Sequence, residues 1–347
     1  MKRRSTSTGL VIAFVAAATF GLSGAFVKPL LEAGWSPAAA VTARVLIGGV
    51  VLSPIAAITL RGNWGILWRS RWRVLMMALI GVSGTQLAYF AAVQRIPVNT
   101  AVLIEYMAPL LLVVFVSIRS RRLPKAVVTI GSVVALAGLV FVVSPGSTGG
   151  LDVLGLVFGA IAMVGCAIYY VISARPSDGL PPVALAASAL LLGGILLGIV
   201  GLVGIVPFTA TFTTVQMLGS AVAWWVPLVI VGVLATAVAY ATSITASEML
   251  GSRLASFVGL LEVVAAALYA WLLLGESLSV PQLLGGVLIL VGIAFVRSEK
   301  AAPEAALVAQ DAQDDLLVAP EVALAAPDTE SKQHSDPPTA PITVSTP

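Results

Sequence analysis

Charged side chains are scarce in this chain, and where they are missing is informative. Only 10% of its 347 residues are Asp, Glu, Lys or Arg, against about 25% in an ordinary soluble domain. Hydrophobic residues make up 59%, and mean hydropathy is +1.04. A water-soluble fold of this length is excluded for want of polar surface. The single histidine, His334, lies beyond the last apolar run, so no imidazole chemistry or His-ligated metal belongs to the apolar part. The single cysteine, Cys166, excludes an intrachain disulfide. No Gly-x-x-x-x-Gly-Lys loop is present to power a pump with a nucleotide. The apolar runs hold no paired Asp residues and no nucleophile-base arrangement, which argues against an enzyme, and no cofactor signature appears. The basic residues are scattered through short gaps, not gathered into a face, so nucleic acid is not an expected partner.

What is present is a series of long apolar stretches. A helix needs about 20 mostly apolar residues to cross a hydrocarbon core about 30 Å thick. Ten such segments lie near 9–28, 37–60, 73–94, 97–118, 125–143, 152–173, 181–206, 222–246, 253–274 and 279–297. Their length and lack of alternating polarity predict an all-α membrane protein, not a barrel. Met-Lys-Arg-Arg followed by an apolar run looks superficially like a secretory signal, but the run from Gly9 to Val27 is long and nine more follow, so it is read as the first helix. Residues 1–8 form a short N-terminus. Residues 298–347 carry nine acids against Lys300 and Lys332 and are rich in Ala and Pro, the composition of a disordered acidic tail.

Ten spans threaded from a cytoplasmic N-terminus leave fifteen basic residues in the inner gaps, among them Arg61, Arg69, Arg119 and Arg253, and two outside, Lys28 and Arg95. That bias predicts a multi-pass plasma-membrane protein with both termini in the cytoplasm. Trp64, Trp68 and Trp72 recur among Arg69, Arg71 and Arg73, as in a short interfacial helix or an aromatic belt.

The halves resemble each other at an offset of 154 residues. Gly131-Ser-Val-Val-Ala-Leu-Ala-Gly138-Leu-Val-Phe141-Val142 lies over Gly285-Gly-Val-Leu-Ile-Leu-Val-Gly292-Ile-Ala-Phe295-Val296, with six of twelve positions identical. Two five-helix copies, 9–143 and 152–297, follow. Because five is odd, the second copy enters the membrane from the opposite face. Inverted repeats of this kind characterise secondary transporters with a central site reached alternately from each side.

Arg44, the repeat, Glu262, and Leu274-Gly275-Glu276 followed by Gln282-Leu-Leu-Gly285 together resemble the EamA branch of the drug/metabolite transporter superfamily, over essentially all of residues 9–297. Gln94-Arg-Ile-Pro97 running into Ala101-Val-Leu-Ile-Glu105-Tyr-Met-Ala-Pro109 is similar to the amino-acid exporters of that group, of threonine/homoserine type. The resemblance implies export of a small metabolite. The chain departs from the family pattern at Val263, where many members carry a proline after the glutamate.

Only Arg44, Glu105 and Glu262 place charge well inside the apolar stretches. Each costs about 2.5–3.5 kcal/mol at the bilayer centre and needs a partner or a wet cavity. Counted from their helix starts they reach depths of about 10, 12 and 13 Å, so an Arg44–Glu105 ion pair is geometrically available. Glu262 or Glu105 is the expected proton carrier, exchanging a proton for substrate. Glu105 and Arg44 are candidate substrate ligands, with Gln86, Tyr89, Tyr106, Tyr169 and Tyr240 as further polar lining. A static clamp between helices is the competing role for the same groups. The protein is thus expected to be a proton-antiporting exporter, with protons, lipid and a small solute as partners. The alternatives are a membrane scaffold or sensor signalling through the tail, or a transporter of nucleosides, sugars or drug-like cations. Substrate identity and oligomeric state leave no mark in the sequence.

Overall fold

The computed structural model describes residues 6–96, 98–121, 123–143, 152–176, 179–217, 219–274 and 279–298. The acidic tail beyond Ser298, residues 1–5 and Glu276 lie outside them. Among the described residues, nine helices are long and apolar enough to cross a membrane, and Ala126–Val142 is a shorter apolar helix. These ten correspond one for one to the apolar segments of the sequence.

The first half runs α1 (Thr6–Glu32), α2 (Pro37–Leu60), the short α3 (Gly65–Arg69), then α4 (Arg71–Met76) continued by a π-helical stretch (Met77–Gly84) and α5 (Thr85–Val93). It goes on with α6 (Val98–Glu105), α7 (Ala108–Ser120) and α8 (Ala126–Val143). The second half runs α9 (Val153–Ala174), α10 (Pro182–Leu202), then α11 (Trp225–Gly232) continued by a second π-helical stretch (Val233–Val238) and α12 (Ala239–Leu250). It ends with α13 (Ser252–Gly259), α14 (Leu261–Leu274) and α15 (Val280–Ser298). Local signals set several boundaries. Ser36 caps α2 by accepting from the Ala39 N–H, with Pro37 beginning the helix, and Arg61 ends it in a left-handed conformation at φ 44°. Asp152 caps α9 through the Leu154 and Gly155 N–H groups. Those bonds, with Arg95 beside it, hold its carboxyl below the usual aspartate range.

One short hairpin departs from the helical expectation. β1 (Val215–Met217) pairs antiparallel with β2 (Ser220–Val222), and Gly219 at φ 76° supplies the turn. The hairpin belongs to a clamp across one end of the bundle. The Ser36 N–H donates to the Thr209 carbonyl, the Thr209 N–H returns a bond to Ser36 Oγ, and Thr211 Oγ1 donates to the Ala33 carbonyl. Trp35 donates through Nε1 to the Thr211 carbonyl and stacks on Trp224 with ring centres 5.8 Å apart.

Helix packing rests on small residues, because closely approaching backbones are the main source of attraction where lipid is as apolar as the core. A methyl group on Gly138 of α8 would come within 2.6 Å of the Gly285 carbonyl oxygen on α15, and one on Gly285 within 2.5 Å of the Gly138 carbonyl oxygen. Gly131 and Gly292 face each other in the same way. α2 and α10 meet likewise, Gly49 against Leu191 and Gly194 against Leu46. Large apolar side chains such as Val11, Ile58, Ile118 and Leu284 point outward. That arrangement suits a bilayer and would be a liability in water.

Candidate functional site

Two of the long apolar helices are interrupted part-way along their length. The first break is Tyr106-Met107, between α6 and α7; Pro109 follows it, lacks an N–H, and so leaves the Glu105 carbonyl without its helical donor. The second is Leu260, between α13 and α14, and it forms without a proline. The Leu260 and Val263 N–H groups bond three residues back, to the carbonyls of Phe257 and Leu260, which tightens the turn. The departure at Val263 therefore does not straighten this helix. Tyr106 and Leu260 lie 154 residues apart, the offset at which the sequences of the two halves align. Glu105 is the last residue of α6, and Glu262 lies in the first turn of α14, where the helix dipole favours an anion.

Both carboxyls face a cavity of about 130 Å³ in the middle of the bundle. Arg44 enters it from α2, Ser23 and Phe20 from α1, and Thr85 and Gln86 from the third span. Tyr106, Tyr169, Tyr170, Tyr240 and Cys166 complete most of the wall. The π-helical stretch shapes this wall. Its widened turn leaves the Ile80 carbonyl to accept from Thr85 Oγ1 at 2.7 Å, while Gly81 and Gly165 leave room for Tyr169 and Thr85. Gly21 brings α1 against α14, where an added methyl would sit 3.0 Å from the Glu262 carbonyl oxygen.

The charges are arranged around the space and do not cancel one another directly. No ion pair joins Arg44 to Glu105, correcting that expectation: Arg44 Nη1 reaches only Ser23 Oγ, at 3.4 Å, and its buried Nε has no protein partner. Glu105 interacts electrostatically with both Glu262 and Arg44, and the Tyr106 hydroxyl faces Glu262. The buried Tyr169 hydroxyl likewise has no hydrogen bond, though Ser173 and Ser243 lie near it. Most buried polar atoms in proteins are bonded; of the unbonded ones among the described residues, Arg44 Nε and the Tyr169 hydroxyl belong to side chains that line this cavity. With two carboxyls against one guanidinium, one proton or one ligand cation neutralises the site.

Of the residues singled out in the sequence, Arg44, Gln86, Glu105, Tyr106, Tyr169, Tyr240 and Glu262 converge on this cavity. Tyr89 is not among the residues lining the cavity: it is one turn further along α5, beside Phe90, yet still near enough to Glu105 to interact with it electrostatically. Ser23, Thr85 and Tyr170 were not anticipated. A lone serine or threonine in an apolar helix carries no sign of which way it points. Tyr170, adjacent to Tyr169, follows from helical geometry only once the neighbouring helices are placed.

The EamA-like transporter family model matches residues 7–144 and 153–298, one match to each half. The chain belongs to that family. This EamA-like protein is accordingly a multi-pass membrane transporter and not an enzyme. It is 22% identical over 298 residues to an uncharacterized inner membrane transporter of Salmonella typhimurium, YicL, covering 84% of this chain and 96% of the relative. A crystal structure 21% identical in sequence superposes with a TM-score of 0.69, covering 84% of this transporter and 98% of that chain. At that identity the likeness concerns the fold.

Proposed function

We propose that this transporter exports a small zwitterionic metabolite, an amino acid by class, in exchange for protons. The observation that carries the proposal is the cavity at the two helix breaks, where one guanidinium and two carboxyls face the same space. A guanidinium recognises a carboxylate through its planar donor fork, and a carboxylate recognises an ammonium group or a proton. Substrate ammonium and proton then compete to neutralise the single net negative charge that the two glutamates and Arg44 share, and that competition is the physical content of antiport. Glu262, in the first turn of a half-helix, is the assigned proton carrier; Glu105 and Arg44 are assigned to the substrate, with Gln86, Tyr106, Tyr169 and Tyr240 around them. The cavity volume of about 130 Å³ favours a small solute, since drug-sized ligands occupy about 300–1,000 Å³.

Alternating access in this proposal uses ten membrane helices arranged as two inverted five-helix repeats, 9–143 and 152–297. Three features support that arrangement. The α8–α15 contact exchanges equivalent glycines, as a twofold-related contact does. A π-helical stretch occurs in the third membrane helix of each half, and a break in the fourth. The loop charges favour cytoplasmic termini, and the relative's name supports an inner-membrane location.

The test is efflux from cells loaded with amino acids through dipeptides, with the proton gradient collapsed midway. Export of one amino-acid class that stops on collapse supports the proposal. Absence of export for every amino acid, with the protein present in the membrane, overturns the substrate class and moves the search to nucleosides, sugars and drug-like cations.

A further inference from the structure

Below the central cavity lies a second, much smaller chamber of about 10 Å³, room for roughly one water. Three helices place it in the same order. On α1 it is lined by Ala13 and Ala17, while Phe20 and then Ser23 reach the cavity. On α12 it touches Ser247, near the helix end, while Tyr240 belongs to the cavity. On α13 it touches Ala255, and Glu262 beyond the break reaches the cavity. The chamber therefore lies between the cavity and the membrane face where α1 starts, α12 ends and α13 starts.

Apart from Glu262, two side chains line both spaces, Phe20 and Tyr170. They belong to one run of edge-on rings. Phe20 meets Tyr240 with centres 5.1 Å apart, Tyr240 meets Tyr169 at 5.8 Å, and Tyr169 meets Tyr170 at 5.2 Å. Tyr170 is seated on backbone: a methyl group on Gly259, the last residue before the break, would collide with its hydroxyl oxygen. The position of this ring is thus tied to the α13–α14 break that also positions Glu262. At the opposite end of the bundle the Ser36–Thr209 and Trp35–Thr211 clamp holds loops of both halves by several hydrogen bonds. Beneath the two rings the chamber wall is mostly alanine, glycine and serine; Leu250, with Leu10 and Leu254, packs against the same alanines, so passage to that face needs these leucines to part once the rings are displaced.

We propose that Phe20 and Tyr170 form the gate over the central cavity on the α1-start side, and that the small-residue chamber is the passage through which water and solute reach Glu262 from that face. The gate rests on the transport function proposed above, and its test is read without measuring transport. Cys166, the chain's single cysteine, lines the central cavity and serves as a native reporter.

The experiment labels the full-length protein with a small, charged, membrane-impermeant methanethiosulfonate, in right-side-out and inside-out vesicles, with an epitope at the N-terminus marking the α1-start face. Phe20→Ala is expected to accelerate Cys166 labelling about tenfold or more from that face alone. Acceleration from the opposite face, from both faces equally, or not at all in a variant that melts like wild type overturns the gate. Should Phe20→Ala fail to fold, Gly259→Ala displaces Tyr170 from the other side and carries the same expectation and the same contrary results. In a Cys166→Ser background, Ala255→Cys tests the passage: labelling from the α1-start face is expected, and its absence there overturns it. Loss of amino-acid efflux together with this labelling pattern removes the substrate class and keeps the gate; efflux without the pattern does the reverse.

Discussion

Glu105 ends one half-helix and Glu262 begins another, so the same pair of interruptions supplies both carboxyls of the cavity. Their separate assignments give a direct prediction. Glu262→Gln keeps shape and hydrogen bonding but cannot give up a proton, so it should abolish pH-driven efflux while leaving expression and melting temperature near wild type. Efflux that still follows the imposed pH gradient would exclude Glu262 as the proton carrier. Tyr169 offers the complementary case. Its hydroxyl has no bonded protein partner, and removing an unpaired buried polar atom is neutral or stabilising. Tyr169→Phe is expected to melt at or above the wild-type temperature and to raise the transport KM several-fold. A lower melting temperature would show that the hydroxyl serves packing. The three charges within the apolar runs could be found from sequence because charge there is costly and therefore conspicuous. Ser23 and Thr85 could not, because a hydroxyl satisfied by its own helix costs little wherever it points.

At the scale of the element, the spans were legible and their interruptions only partly so. Pro109 marks the first break, whereas the second, at Leu260, has no proline and no other local mark. The π-helical stretches at Met77–Gly84 and Val233–Val238 left no signal in composition either. Glycine positions make the energetics of packing testable. Alanine in place of a helical glycine gains about 0.5–1 kcal/mol where space is open, whereas overpacking costs about 1–3 kcal/mol. At Gly138 the obstacle is the backbone of α15, which cannot swing aside, so overpacking wins; at Gly24 nothing lies within 4 Å. Gly138→Ala should lower the melting temperature in detergent and Gly24→Ala should raise it slightly. Equal shifts for the two would refute the close-contact account of the α8–α15 seam.

For the molecule as a whole, every described residue assigned here to the transport pathway lies within the helical bundle. Deleting residues 300–347 is therefore expected to leave efflux rate and proton dependence within about twofold of wild type, since ordinary surface changes alter stability by less than about 0.5 kcal/mol. Loss of efflux from a truncated protein that still reaches the membrane would favour the scaffold or sensor role for the tail. Fold class was evident in the sequence because bilayer thickness fixes segment length. Cavity shape was not, since it depends on which faces of ten similar apolar helices turn toward each other.

The seam between α8 and α15 also constrains how the two halves can diverge. Gly138 is closed off by the carbonyl of Gly285, and Gly285 by that of Gly138. Neither can gain a side chain while the other's backbone stays in place, however freely the lipid-facing positions around them drift. Two stretches that differ at most other positions are thus held to the same residue along the line where they touch, and their likeness is concentrated there.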